Sequence, residues 1–315
     1  MINQFLHERS DFKSLIDTVA YENKIDAPAL VEKDYWLMHC LYGLNSIGLK
    51  FQLKGGTSLS KGFGIIHRFS EDIDIRIEHF DDERLFSGPN HDDPKHVESR
   101  RQFFERIKKR IKIPGIIKVE RDHDFDDAQM RNAGIRLHYQ TNSDFVHGLK
   151  EGILLEVGFD QTSPYQKADI SSWVIDFSES KKLRFANNRA LQVPCYNPEY
   201  TFVEKLQAVA NKFKQFNETG KFPRNFLRHY YDIHQLLDVP SVQAFIGSPE
   251  YLAHKKKRFK SLDQAVGKSD AFRLNDQSTR KLLNSEYEKT KSLYYRGQIS
   301  LDEILKRIAI DLARL

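Results

Sequence analysis

Residues 51–77 read FQLKGGTSLSKGFGIIHRFSEDIDIRI, and the order of residue types in this stretch decides the architecture. Residues 51–53 form an apolar run of strand length. Gly55 and Gly56 follow, then Thr57 and Ser58, with a helix expected to about residue 63. Adjacent glycines allow positive φ and close approach of backbone to a ligand, and the first turn of a helix points unpaired N–H groups at an anion. A plain helix cap by Thr57 or Ser58 is the structural alternative. Residues 70–77 then alternate, with Ile73, Ile75 and Ile77 on one strand face and Asp72, Asp74 and Arg76 on the other. Two carboxylates on one face repel unless a cation lies between them. A pair of Mg²⁺ ions bound partly through nucleotide phosphates would fill that place. The alternative is an exposed face on which Arg76 pairs with one aspartate.

The chain as a whole sets outer bounds. Its 315 residues are long for one core, so two domains are expected. With 40% hydrophobic and 12% aromatic residues a packed core is available, which excludes global disorder. A net charge of +5 is compatible with nucleic acid or nucleotide ligands without requiring them. Only Cys40 and Cys195 occur, so a disulfide framework is not expected and a reducing cytoplasm is. The opening MINQFLHERSDFK has no apolar signal segment, and no apolar run reaches membrane-spanning length, so no membrane association is expected.

Outward from the central stretch, residues 11–20 and 27–44 carry helical periodicity. Glu32, Lys33 and Asp34 in the second helix read as a solvated turn with local ion pairs. Residues 80–96 read as a polar loop, in which His91, Asp92 and Asp93 are solvated, and a helix is expected over 97–112. Strands near 116–121 and 134–140 flank the acidic connection 122–127. Residues 152–159, GILLEVGF, form another strand, with Glu156 on the face opposite Ile153, Leu155, Val157 and Phe159. An acid among such neighbours is costly unless paired or coordinating a metal, which makes Glu156 a candidate third carboxylate. A charge facing solvent on an edge strand is its alternative. Residues 172–177 and 190–194 also look strand-like. Pro194 and Pro198 then mark a change to helix, giving expected domains of 1–195 and 196–315. Helices are expected at 199–214, 225–237, 276–293 and 300–314. The basic run HKKKRFK at 254–260 is a phosphate-backbone contact or a solvated helix face.

Four motifs in order resemble the AbiEii/AbiGii nucleotidyltransferase toxin family, the toxin half of type IV toxin–antitoxin systems. VEKDYW at 31–36 is similar to the family's EKDxW helix and LKGGTSLSK at 53–61 to its phosphate motif. RFSEDID at 68–74 is similar to its acidic strand, and RHYYD at 228–232 to a later helix. The glycine turn followed by the paired aspartates is specific, where either alone would not be. The resemblance implies an α/β (α+β) fold: a polymerase-β-like nucleotidyltransferase core, a mixed sheet flanked by helices, and a helical C-terminal domain completing the active-site cleft. It implies that Gly55, Gly56, Thr57 and Ser58 cradle a triphosphate and that Asp72 and Asp74 bind Mg²⁺, with Mn²⁺ as a substitute. By the same resemblance Lys205 neutralises triphosphate charge, Asp232 orients Lys205 or the acceptor, and Arg228 contacts phosphate. The third carboxylate, commonly aspartate in the broader superfamily, would here be Glu156. The implied reaction moves a nucleoside monophosphate from an NTP to a hydroxyl with release of pyrophosphate. The acceptor implied is RNA, at the tRNA 3′ end, in a toxin–antitoxin and phage-defence setting with a separately encoded antitoxin. A small-molecule nucleotidyltransferase of the antibiotic-modifying kind and a non-catalytic nucleotide- or RNA-binding module are the alternatives.

Overall fold

The computed structural model describes residues 4–80, 85–88, 90–144, 149–259 and 266–315. The chain divides into two compact units. One comprises residues 1–62 and 70–196, the other residues 63–69 and 197–315.

The first unit contains, in chain order, α1 (Phe12–Glu22), α2 (Pro28–Ser46), β1 (Phe51–Lys54), the single turn α3 (Gly55–Thr57) and β2 (Asp72–Ile77). It continues with α4 (Pro94–Arg110), β3 (Ile116–Asp122), β4 (Asn132–Tyr139), β5 (Ile153–Gly158), β6 (Tyr165–Ile170), α5 (Trp173–Ser180) and β7 (Ala190–Tyr196). The strands form one seven-stranded mixed sheet in the order β3-β4-β5-β2-β1-β7-β6, with β2 in the middle. β2 runs parallel to β5 and antiparallel to β1, and β1 runs parallel to β7.

Alternation explains β2. Ile73, Ile75 and Ile77 are buried, each worth roughly 1.5–3 kcal/mol of burial. On the same side Ile153, Leu155 and Val157 of β5 are closed from solvent. Two helices supply the cover: Phe104 of α4 lies 5.3 Å from the Phe159 ring, and Trp36 of α2 stacks at 4.7 Å on Tyr139. Pro28 opens α2 at a position where its missing N–H costs nothing.

Several local expectations give way here. The helix expected after the glycines is only the α3 turn followed by a wide π turn over Ser58–Gly62. Residues 173–177 are helical, not a strand, and residue 172 stands just ahead of the helix. The composition of Trp173-Val174-Ile175 suits either state, but the Ser172 side chain accepts the Ile175 N–H and caps α5. The strand of that region is β6, whose exposed polar residues gave no alternation to read. Arg100 on α4 is buried and donates to the carbonyls of Phe86, His91 and Gln129.

The second unit holds α6 (Pro198–Thr219), α7 (Arg228–Leu237), α8 (Pro240–Phe245), α9 (Pro249–Arg258), α10 (Gln277–Glu288) and α11 (Leu301–Asp311). α6 ends at Gly220, whose φ of 66° closes the helix in the left-handed region. Residues 63–69 are bound into this unit by backbone and side chain. The Phe69 N–H donates to the Leu293 carbonyl at 2.7 Å, and Tyr295 Oη donates to the Ile66 carbonyl at 3.3 Å. No helix among the described residues is long and apolar enough to cross a membrane.

Candidate active site

The registers around β2 place three carboxylates on one sheet face. Asp72 and Asp74 are two residues apart on the strand, and Glu156 of β5 stands directly opposite Asp74. Lys54, the last residue of β1, is the cross-strand neighbour of Asp74. The glycine turn follows at once. Gly55 has φ +73°, and a Cβ at that position would run into the Asp74 carboxylate. Thr57 is buried and donates its hydroxyl to the Asp72 carbonyl at 2.5 Å, while Ser58 donates to the Tyr196 carbonyl at 3.4 Å. These two hydroxyls therefore lock the turn against the strands.

Electrostatics mark the cluster as unbalanced. Burial, the Asp74 carboxylate and the Asp72 carboxylate push the Glu156 carboxyl up to about 8, with Lys150 pulling the other way. Lys150 Nζ donates to both Asp72 oxygens at 2.9 Å. Its backbone is fixed as well: the N–H donates to Glu71 Oε2 at 2.9 Å and the carbonyl accepts from Lys33 Nζ. Lys33 in turn lies 3.5 Å from Glu71.

Glu32, Lys33 and Asp34, expected in a solvated turn, are buried. Each holds a different segment. Glu32 accepts from the Thr141 hydroxyl at 3.0 Å and the Asn142 N–H at 2.8 Å. Lys33 holds Glu71 and the Lys150 carbonyl. Asp34 accepts the Trp173 N–H at 2.9 Å and pairs with Lys61 of the π turn. A buried charge is tolerable only with such partners, and here the partners are distant in sequence. α2 is thus a strut from which the loops around β2 are held.

Lys205, Arg228 and Asp232 belong to the second unit. Asp232 is fully buried and takes a two-pronged ion pair from Arg68, Nε to Oδ1 and Nη2 to Oδ2, both at 2.7 Å. Lys205 Nζ adds a third contact at 2.9 Å from Oδ2. Burial alone would raise the Asp232 carboxyl, but Arg68 and Lys205 outweigh it and hold it well below the usual carboxylate range. The neighbouring His229 is kept neutral by burial and by Lys205. Arg228 donates to Asn225 Oδ1. The basic run at 254–260 is partly interior: Lys255 is buried with its Nζ on the Leu315 carbonyl, and Arg258 pairs with Glu204. Lys260 lies outside the described residues.

Among the described residues no three His, Cys, Asp or Glu side chains are already gathered around a metal position. The donor chemistry nevertheless fits a hard divalent cation. Asp72, Asp74 and Glu156 offer oxygen only, on one face, and Glu156 is raised by the neighbours that a cation would neutralise.

Comparisons with known proteins bear on the family and the fold. The family model described as nucleotidyl transferase AbiEii toxin, type IV TA system, matches residues 39–307. Among solved structures, the nucleotidyltransferase toxin MenT4 of Mycobacterium tuberculosis H37Rv is 15% identical over 95% of this chain and 88% of its own, with a TM-score of 0.60. JHP933 of Helicobacter pylori is 16% identical over 91% of this chain and 90% of its own, with a TM-score of 0.48. No curated protein matches. The MenT4 likeness establishes a shared nucleotidyltransferase fold at low identity. Because the family model runs through the acidic strand and on through most of the helical unit, this chain belongs to the AbiEii nucleotidyltransferase toxin family of type IV toxin–antitoxin systems.

Proposed function

We propose that the protein transfers a nucleoside monophosphate from an NTP to a hydroxyl of RNA, at the tRNA 3′ end, and releases pyrophosphate. The observation that carries this reading is the placing of Asp72, Asp74 and Glu156 on one sheet face beside the glycine turn. In the reaction the acceptor oxygen bonds to the α-phosphorus, the bond to the β-bridging oxygen breaks, and the acceptor proton must leave. Glu156 is assigned that proton by its position, directly opposite Asp74 on the carboxylate face, where a bound cation would offset the two neighbouring aspartates and leave it ionised to accept. Asp72 and Asp74 would hold Mg²⁺, which when bound supplies charge neutralisation at the phosphates and acidifies the acceptor hydroxyl. The turn at Gly55, Gly56, Thr57 and Ser58 is assigned to the β- and γ-phosphates. Gly55 supports this because only a residue without Cβ brings the backbone so close to Asp74. Lys205 is assigned to triphosphate charge, held in place by Asp232, and Arg228 to a phosphate contact. A separately encoded antitoxin is the partner this family membership leads us to expect.

The test is incubation with Mg²⁺ and each labelled NTP in turn, with total RNA, protein or neither as acceptor. The Asp72→Ala/Asp74→Ala variant runs alongside. Label on RNA with the wild type alone supports the proposal. Equal labelling by wild type and variant defeats the role given to the two aspartates. Label confined to an added hydroxylated small molecule moves the reading to a small-molecule transferase, and nucleotide binding without any transfer to a binding module.

A further inference from the structure

Lys150 has no part in the reaction assigned above, yet it is the best-anchored cation at the carboxylate cluster. Its ammonium sits symmetrically on Asp72, 2.9 Å from each oxygen. That is the position from which a carboxylate would reach a divalent ion. Nor is the contact a chance reach of a flexible surface chain. The Lys150 N–H is tied to Glu71 and its carbonyl to Lys33, and both of those side chains are buried. Glu71 immediately precedes Asp72, so one short segment carries both the anchor for the Lys150 backbone and the carboxylate for its side chain. Thr57 fixes the Asp72 carbonyl from the other side.

We propose that Lys150 is a tethered counter-cation that occupies Asp72 until a divalent ion displaces it. The ammonium holds the carboxylate in a ligating pose and sets the metal concentration at which the site fills. The lysine and the metal compete for the same two oxygens, so the bound ion must carry enough charge to win. This inference rests on the metal-dependent reading of Asp72.

Two measurements test it without relying on activity. The first uses the unaltered protein: reductive methylation of lysine ε-amines, followed residue by residue by mass spectrometry, with and without Mn²⁺. Lys150 should react slowly in metal-free protein and several-fold faster once Mn²⁺ is bound. The second is Mn²⁺ affinity in the absence of nucleotide, read from the spin-resonance signal of the free ion. Lys150→Met should bind Mn²⁺ roughly ten-fold more tightly, while Lys112→Met, which removes an equal charge from the exposed surface, should match the wild type. Mn²⁺ binding that leaves Lys150 equally protected, or equal affinity in Lys150→Met and wild type, overturns the counter-cation and leaves the metal site standing. Failure of Mn²⁺ to bind wild type and Lys150→Met alike overturns both.

Discussion

Asp232 and Glu156 are both carboxylates withdrawn from water, and their surroundings drive them in opposite directions. Asp232 has a guanidinium and an ammonium on a single carboxylate and is held ionised. Glu156 faces two other carboxylates, and burial and those neighbours raise it to about 8. The first arrangement is internally satisfied; in the second, Lys150 neutralises Asp72, yet burial and the two aspartates still raise Glu156. Such a deficit costs stability in the free protein, which is what a site built for a cation and a polyanion is expected to show.

The contrast can be broken most severely at Asp232. Asp232→Asn would leave Arg68 and Lys205 buried without their counter-charge and should cost about 3–5 kcal/mol in a denaturant titration. If it costs no more than a surface substitution, the ion pairs around Asp232 are not what holds this part of the helical unit. Glu156→Gln should behave in the opposite sense. Transferase activity falls about 100-fold, while stability rises, because a repelled carboxyl has been replaced by a neutral group of the same shape. A parallel loss of activity and stability would show that Glu156 is a packing residue.

pH should separate the two carboxylates by sign. The Asp232 value is depressed, so its contribution is present above its ordinary value of 3.8 and is lost as pH falls below that toward the folded-state value. The Glu156 value is raised, so its contribution is full below 4.5 and is lost as pH rises through about 8. Melting curves of wild type and Glu156→Gln should therefore converge below pH 4.5 and separate in favour of the variant as pH rises from there to about 8, with the full gap kept at higher pH. The smallest effect is expected at the glycine turn. Gly55→Ala places a Cβ in the left-handed region and against the Asp74 carboxylate. It should cost about 1 kcal/mol of stability and weaken NTP binding, measured by equilibrium dialysis.

The parts of this molecule legible in its sequence are those in which neighbours in the chain are neighbours in space. Ile73, Ile75 and Ile77 announce the central strand by their period of two, and Asp72 and Asp74 must then share the other face. Glu156 could be singled out as an acid in an apolar strand, but its station opposite Asp74 depends on strand order. Lys150 gave no signal at all, because what distinguishes it is Asp72, Glu71 and Lys33, far away along the chain. The same holds for Glu32, Lys33 and Asp34. Three consecutive charges read as solvated until partners from the β4–β5 connection, the segment before β2, and α5 with the π turn account for them. At α5 the local sequence carries both messages: Trp173, Val174 and Ile175 suit a strand, while Ser172 is a helix cap whose side chain accepts the Ile175 N–H.

Residues 63–69 lie in sequence between the glycine turn and the paired aspartates, yet they are folded into the helical unit, where they deliver Arg68 to Asp232. The two units are consequently interleaved along the gene. A fragment starting at 197 would contain Asp232 and Lys205 without the guanidinium that completes them. No single crossover within the coding sequence could exchange one unit intact, because the segment that carries Arg68 would stay behind.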